Sequence, residues 1–160
     1  MWHSILKKTA NFFLFSSLYI GLCAVVMCWQ TFFLFHLPIN IYFLFFVFFG
    51  TLCSYNFHWF LTPASSGGSE KTHWSYSNSR LYIIFFIIGL TGAAYFGYQL
   101  IEHWLWLTST AFITFLYSAS KVPFAVFGWL LKNCDGKTIF LALAWTHIPF
   151  ILPFLLAKTE

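Results

Sequence analysis

The residues able to do chemistry are few, and most are set in apolar sequence. Asn56 and His58 fall in Tyr55-Asn56-Phe57-His58-Trp59-Phe60-Leu61-Thr62-Pro63, at the end of a long aromatic run. Polar residues inside a membrane usually face the bundle interior and often mark a site. A plainer reading stands beside it: Asn56 bonds a neighbouring helix and His58 reaches toward the interface. His147 precedes Pro149 and Pro153 in another apolar run. Paired with His58 it would suit a metal or haem. The two histidines sit at different depths in their runs, which favours a packed imidazole for His147, bonded to a carbonyl that a proline has freed.

Lys71, Arg80, Lys121, Lys132 and Lys137 form a basic set. Such a set can cradle a pyrophosphate or hold anionic lipid head groups. Membrane orientation alone would gather the same residues on one side. The stretch Ser65-Ser66-Gly67-Gly68-Ser69 could form an anion nest. No P-loop Lys-Ser/Thr accompanies it, so it reads as a flexible linker.

Acidic residues matter by their scarcity. Glu70, Glu102, Asp135 and Glu160 are the whole set, and no two share a helix face at three- or four-residue spacing. Magnesium needs oxygen ligands, usually one or two carboxylates with substrate phosphates. The chain offers no evident place for it. Cys23, Cys28, Cys53 and Cys134 contain no C-x-x-C pair. They read as reduced, buried small hydrophobes rather than a disulfide framework or zinc knuckle.

The elements that must position these residues are membrane helices. Of 160 residues, 60% are hydrophobic and 8% charged. A soluble domain carries about 25% charged residues, and the mean hydropathy is +0.77. Soluble enzymes, disordered chains and disulfide-stapled secreted domains are excluded on that balance. The expected fold is all-α: a single polytopic transmembrane domain over residues 1–160, with about five spans. Prolines, polar residues and charges divide the apolar sequence into spans at about 11–35, 41–62, 81–101, 104–118 and 138–157. The first reaches roughly 37 Å at 1.5 Å per residue, enough for a tilted crossing. The fourth spans with Trp104 and Trp106 in the head-group zone. Residues 63–80 form a loop, Glu102-His103 a tight turn, and Val122–Leu131 an interfacial or re-entrant piece. The basic start at Lys7-Lys8 leads a run longer than a signal-peptide core, so the first span is read as retained.

Lys7, Lys8, Lys71, Arg80, Lys121, Lys132 and Lys137 all fall on one side of such a bundle, and only Lys158 on the other. By the positive-inside rule that side, with the N-terminus, is cytoplasmic. No internal repeat is visible. Most Phe and Trp residues read as lipid-facing or packing groups. A channel for an isoprenoid tail is compatible with them.

The order of features resembles the N-terminal half of the UbiA superfamily of intramembrane prenyltransferases, most of all its divergent bacterial members. The resemblance rests on Asn56 at the end of the second span and on the polar loop after it. It rests also on Phe115-Leu116-Tyr117-Ser118-Ala119-Ser120-Lys121-Val122-Pro123, on Gly136-Lys137-Thr138 opening a further span, and on Ala144-Trp145-Thr146 within it. It implies an all-α bundle in the bacterial inner (plasma) membrane. It also implies transfer of a prenyl group from a prenyl diphosphate to an acceptor, with magnesium. The family's first acidic motif, N-D-x-x-D-x-x-x-D, places its Asn on Asn56 and its carboxylates on Phe57, Phe60 and Ala64. With those carboxylates absent, the implied protein is a degenerate member, and magnesium enters only if a missing segment or a partner supplies ligands. The resemblance assigns diphosphate binding to Asn56, Tyr117, Ser118 and Lys121. Expected partners are membrane lipid and an isoprenoid diphosphate, with no nucleic acid. The second acidic motif would lie beyond residue 160, so the sequence is expected to be part of a larger bundle. Two other readings remain: a non-catalytic membrane scaffold or assembly protein, and a small transporter or haem-binding protein using His58 and His147.

Overall fold

A computed structural model describes residues 13, 17–60, 78–119 and 136–157, with the backbone alone for 115–119 and 136–140. The described residues form five helices and no strand. Helix α1 is Leu18–Leu34, α2 Ile41–Phe60, α3 Ser79–Gln99 and α4 Trp104–Ala119. Helix α5 has three parts: an α-helical Gly136–Thr146, a π-helical turn His147–Ile151 and an α-helical Leu152–Ala157.

Local chemistry sets the boundaries. Helix α1 begins at Leu18, after Ser17 in a left-handed φ of 66°, and residues 11, 12 and 14–16 of the expected first span lie outside the described residues. The 17 residues of α1 reach roughly 25 Å, short of a hydrocarbon core of roughly 30 Å. It ends in a Schellman motif. His36 adopts φ 51°, His36 N–H donates to Phe33 O (3.4 Å), and Leu37 N–H donates to Phe32 O (2.9 Å). These bonds satisfy carbonyls that the helix end leaves open. Pro38 prevents continuation, and Asn40 caps α2 by accepting from Phe43 N–H at 3.1 Å. The expected break at His36–Asn40 is therefore built from a C-cap, a proline and an N-cap. At the other hairpin a 3₁₀ turn, Ile101–His103, runs directly into Trp104. The tight turn expected at Glu102-His103 is present. The proposed interfacial piece Val122–Leu131 lies outside the described residues.

Neighbouring helices run antiparallel. Phe57 stacks on Phe86 at 5.4 Å, and Phe45 on Phe96 at 5.0 Å, so residue numbers rise along α2 as they fall along α3. Phe32 meets Phe43 edge-on at 6.0 Å between α1 and α2. Helices α1 and α5 run parallel, since Phe35 meets Phe154 and Cys28 meets Ile148. Helix α2 touches α1, α3 and α4; α5 closes the other side against α4 and α1.

Helix α3 packs on α2 through small residues. A Cβ added at Gly89 would stand 2.6 Å from the backbone nitrogen of Cys53. Gly89, Ala93 and Gly97 recur every four residues on α3, the spacing that lets apolar helices approach closely in lipid. Helices α2 and α3 are each long and apolar enough to cross a membrane. Only 11% of the apolar window of α3 is buried. Ile83, Ile84, Ile87, Ile88 and Leu90 are all exposed on it. An apolar helix in the core of a soluble protein would instead be mostly buried.

The prolines of α5 explain its π-helical turn. Pro149 has no N–H to donate, and its ring would clash with the preceding turn of an α-helix. Widening one turn accommodates the ring. Pro149, Leu152 and Pro153 are buried, and the Cys28 thiol, itself fully buried, donates weakly to Ile148 O at 3.9 Å.

Candidate functional site

The five helices line a half-open cavity of about 470 Å³, within the roughly 300–1,000 Å³ of typical ligand sites. Helix α2 supplies the longest wall, including Val47, Gly50, Thr51, Ser54 and Tyr55. Helix α5 faces it with Leu141, Ala144, Trp145 and the turn Ile148-Pro149, α4 adds Thr110, Ala111 and Thr114, and α3 adds Phe86 and Leu90. None of the described lining side chains is Asp, Glu, Lys, Arg or His. The space exists at Gly50 because that residue has no side chain: a Cβ placed there meets nothing within 4 Å. Trp145 hydrogen-bonds Tyr55 across the wall between α5 and α2.

An apolar void of this size is expensive when empty. Water gains little in such a space. A hydrocarbon chain restores the missing dispersion contacts.

Asn56 is fully buried and lies off the cavity wall. Its Nδ2 donates to Leu52 O at 2.7 Å, one turn back on its own helix, while its Oδ1 has no partner among the described residues. Ser17 Oγ, at the same end of α1, is likewise buried and unpartnered. The plainer sequence reading placed an interhelical bond at Asn56, whereas the bond found is within α2. An orphaned buried acceptor costs about 1–3 kcal/mol. Asn56→Leu, close in volume and without the orphan, is expected to raise the thermal midpoint of the purified protein. A fall would mean that Oδ1 has a ligand in the native membrane.

Tyr117 and Ser118 occupy the last turn of α4, with side chains outside the described portion, and Lys121 lies outside the described residues altogether. Of the positions matched to the family carboxylates, Phe57 lines the cavity and stacks on Phe86, and Phe60 ends α2 with an exposed ring. Neither offers an oxygen, so these residues do not fit a magnesium site. Arg80 opens α3 at the same end and is exposed.

The histidines stay apart in role. His58 lies edge-on to Trp59 at 6.0 Å. His147 meets Ser109 of α4 at 3.0 Å through Nε2. The Ser109 hydroxyl has a single proton and donates it to Trp106 O at 2.8 Å. The consistent tautomer of His147 therefore donates Nε2–H to Ser109 Oγ. The partner is a hydroxyl rather than the carbonyl expected from the sequence, because the bulge presents the ring to α4. No group of three or more His, Cys, Asp or Glu side chains suited to a metal occurs among the described residues.

Sequence reasoning missed Gly50, Thr51, Ser54, Thr110 and Thr114. The available signal was the stretch Gly50-Thr51-Leu52-Cys53-Ser54, where small and hydroxyl residues interrupt a phenylalanine-rich helix. The sequence matches no protein-family model and no curated protein, and the structure matches no solved structure.

Proposed function

We propose that the chain is an integral membrane protein of UbiA-like architecture that holds an isoprenoid chain between its helices and does not transfer it. The observation that carries this reading is the uncharged, apolar cavity formed jointly by all five helices. The outward apolar faces, including Phe33, Phe112 and the isoleucines of α3, support lipid around the bundle. The end bearing Arg80 and the start of α5 is read as cytoplasmic, by the one-sided placement of Lys and Arg. The bacterial inner membrane follows from the resemblance. Ionising a prenyl diphosphate requires charge neutralisation that carboxylate-bound magnesium would supply, and Phe57 and Phe60 replace such ligands. Tyr117, Ser118 and Lys121 are the proposed contacts for an anionic head group at that end, from the resemblance.

The test is photolabelling of the purified full chain in nanodiscs with an isoprenoid carrying a diazirine on its tail. Labels are expected on the cavity-facing residues of α2 and α5, and incubation with farnesyl diphosphate and magnesium is expected to release no pyrophosphate. Labelling confined to the exposed face of α3 would overturn chain binding. Pyrophosphate release that the Lys121→Ala change abolishes would overturn the non-catalytic assignment.

A further inference from the structure

Apart from the Tyr55 phenol, which is bonded to Trp145, the hydroxyl groups of the cavity divide into two kinds. Thr110 Oγ1 donates to Trp106 O at 2.9 Å, and Thr114 Oγ1 donates to Thr110 O at 2.9 Å. Each proton is used within α4, so toward the cavity these two oxygens offer lone pairs only. Thr31, Thr91, Thr108 and Thr146 spend their protons in the same way. This back-bonding is the usual state of threonine in an apolar helix. Thr51 and Ser54 on α2 depart from it. Both line the cavity, one turn apart, and neither has a hydrogen-bond partner among the described residues. Their protons and lone pairs are both available to an occupant.

The remaining wall is largely apolar, and none of its described side chains is Asp, Glu, Lys, Arg or His. A charged head group placed there would lose its hydration with no counter-charge to replace it. A fully apolar occupant would leave the hydroxyls of Thr51 and Ser54 unpaired in a dry space. An uncharged occupant with one hydroxyl avoids both costs. Its oxygen accepts from Thr51 or Ser54, and its proton goes to a lone pair on Thr110 or Thr114.

From this arrangement we infer that the cavity selects a neutral isoprenoid alcohol, recognised by Thr51 and Ser54, over both the corresponding diphosphate and the plain hydrocarbon. The inference rests on the proposed isoprenoid-chain reading of the same cavity and adds the head-group class.

Three probes of matched chain separate the two: farnesol, farnesyl diphosphate and farnesene, each competed against the photolabel on the full chain in nanodiscs. Farnesol is expected to compete about tenfold more strongly than farnesene, one well-made hydrogen bond's worth, and more strongly than the diphosphate. The double change Thr51→Val with Ser54→Ala keeps the side chains close in size. It is expected to erase the farnesol advantage and leave farnesene competition unchanged, which also shows that the variant is folded. Equal competition by farnesol and farnesene in the unmodified protein would overturn alcohol recognition while leaving chain binding intact. Strongest competition by the diphosphate would overturn the neutral class. Failure of all three would remove the chain-binding reading and, with it, this one.

Discussion

Gly89→Ala is expected to destabilise the protein by about 1–3 kcal/mol, the usual cost of forcing a methyl group into a packed interior. Gly50→Ala, the same change in a neighbouring helix, is expected to stabilise it by up to about 1 kcal/mol. Both glycines are helical, so both substitutions gain the ~0.8–1.0 kcal/mol by which Ala exceeds Gly in helix propensity. Both also restrict the unfolded chain alike. The pair therefore isolates the native contact. At Gly89 the new carbon would stand 2.6 Å from Cys53 N and 2.9 Å from Cys53 Cα. Those are backbone atoms, so relief requires α2 and α3 to separate. That movement would disturb the stacked pairs Phe57–Phe86 and Phe49–Phe96, each contributing about 0.5–1.5 kcal/mol. At Gly50 nothing lies within 4 Å. The check is the thermal midpoint of each variant in one detergent. Equal shifts would mean that α2 and α3 do not meet at Gly89.

That contact shows where sequence reasoning stopped. The four-residue spacing of Gly89, Ala93 and Gly97 was there to be read as a packing face. It does not name its partner, and only the fold sets it against Cys53, Phe49 and Phe46. Span boundaries were more legible, because prolines, charges and capping residues are local signals. Helix α2 was expected over 41–62 and is Ile41–Phe60; α4 was expected over 104–118 and is Trp104–Ala119. The start of the first span, expected at residue 11, falls among residues outside the described ones, and no local signal announces the left-handed turn at Ser17.

The site was less legible than the helices. Polarity drew attention to Asn56, and polarity says nothing about direction. At 100° per residue Asn56 continues the stripe of Phe48 and Leu52, and Phe48 meets Gly21 of α1. Val47, Gly50 and Ser54 form a different stripe, which faces the cavity. Their small size and neutral hydroxyls made them inconspicuous in the sequence. A cavity is also a property of five helices at once. The void opposite Gly50 depends on where Pro149 and its π-helical turn set the wall of α5, and that turn is braced by Cys28 and Ser109 from two other helices.

Filling that void gives the largest expected effect on binding. Gly50→Phe places a benzyl group where a Cβ meets nothing, so the ring enters the cavity rather than the packing between helices. Stability is expected to hold or rise, because the ring restores contacts that the void lacks. Isoprenoid binding is expected to fall at least tenfold, since the ring and the chain compete for the same volume. Gly50→Leu, which fills less, should act as a floor rather than a plug: short isoprenoids keep their affinity while long ones lose it. Gly50→Ala supplies the control with near-normal binding. The three variants together predict a graded loss in the order Ala, Leu, Phe, with thermal midpoints that do not fall in parallel. Competition binding against the photolabel, run beside thermal unfolding, reads both. Full binding by a folded Gly50→Phe protein would place the chain outside the cavity, and the apolar space between the helices would need another occupant.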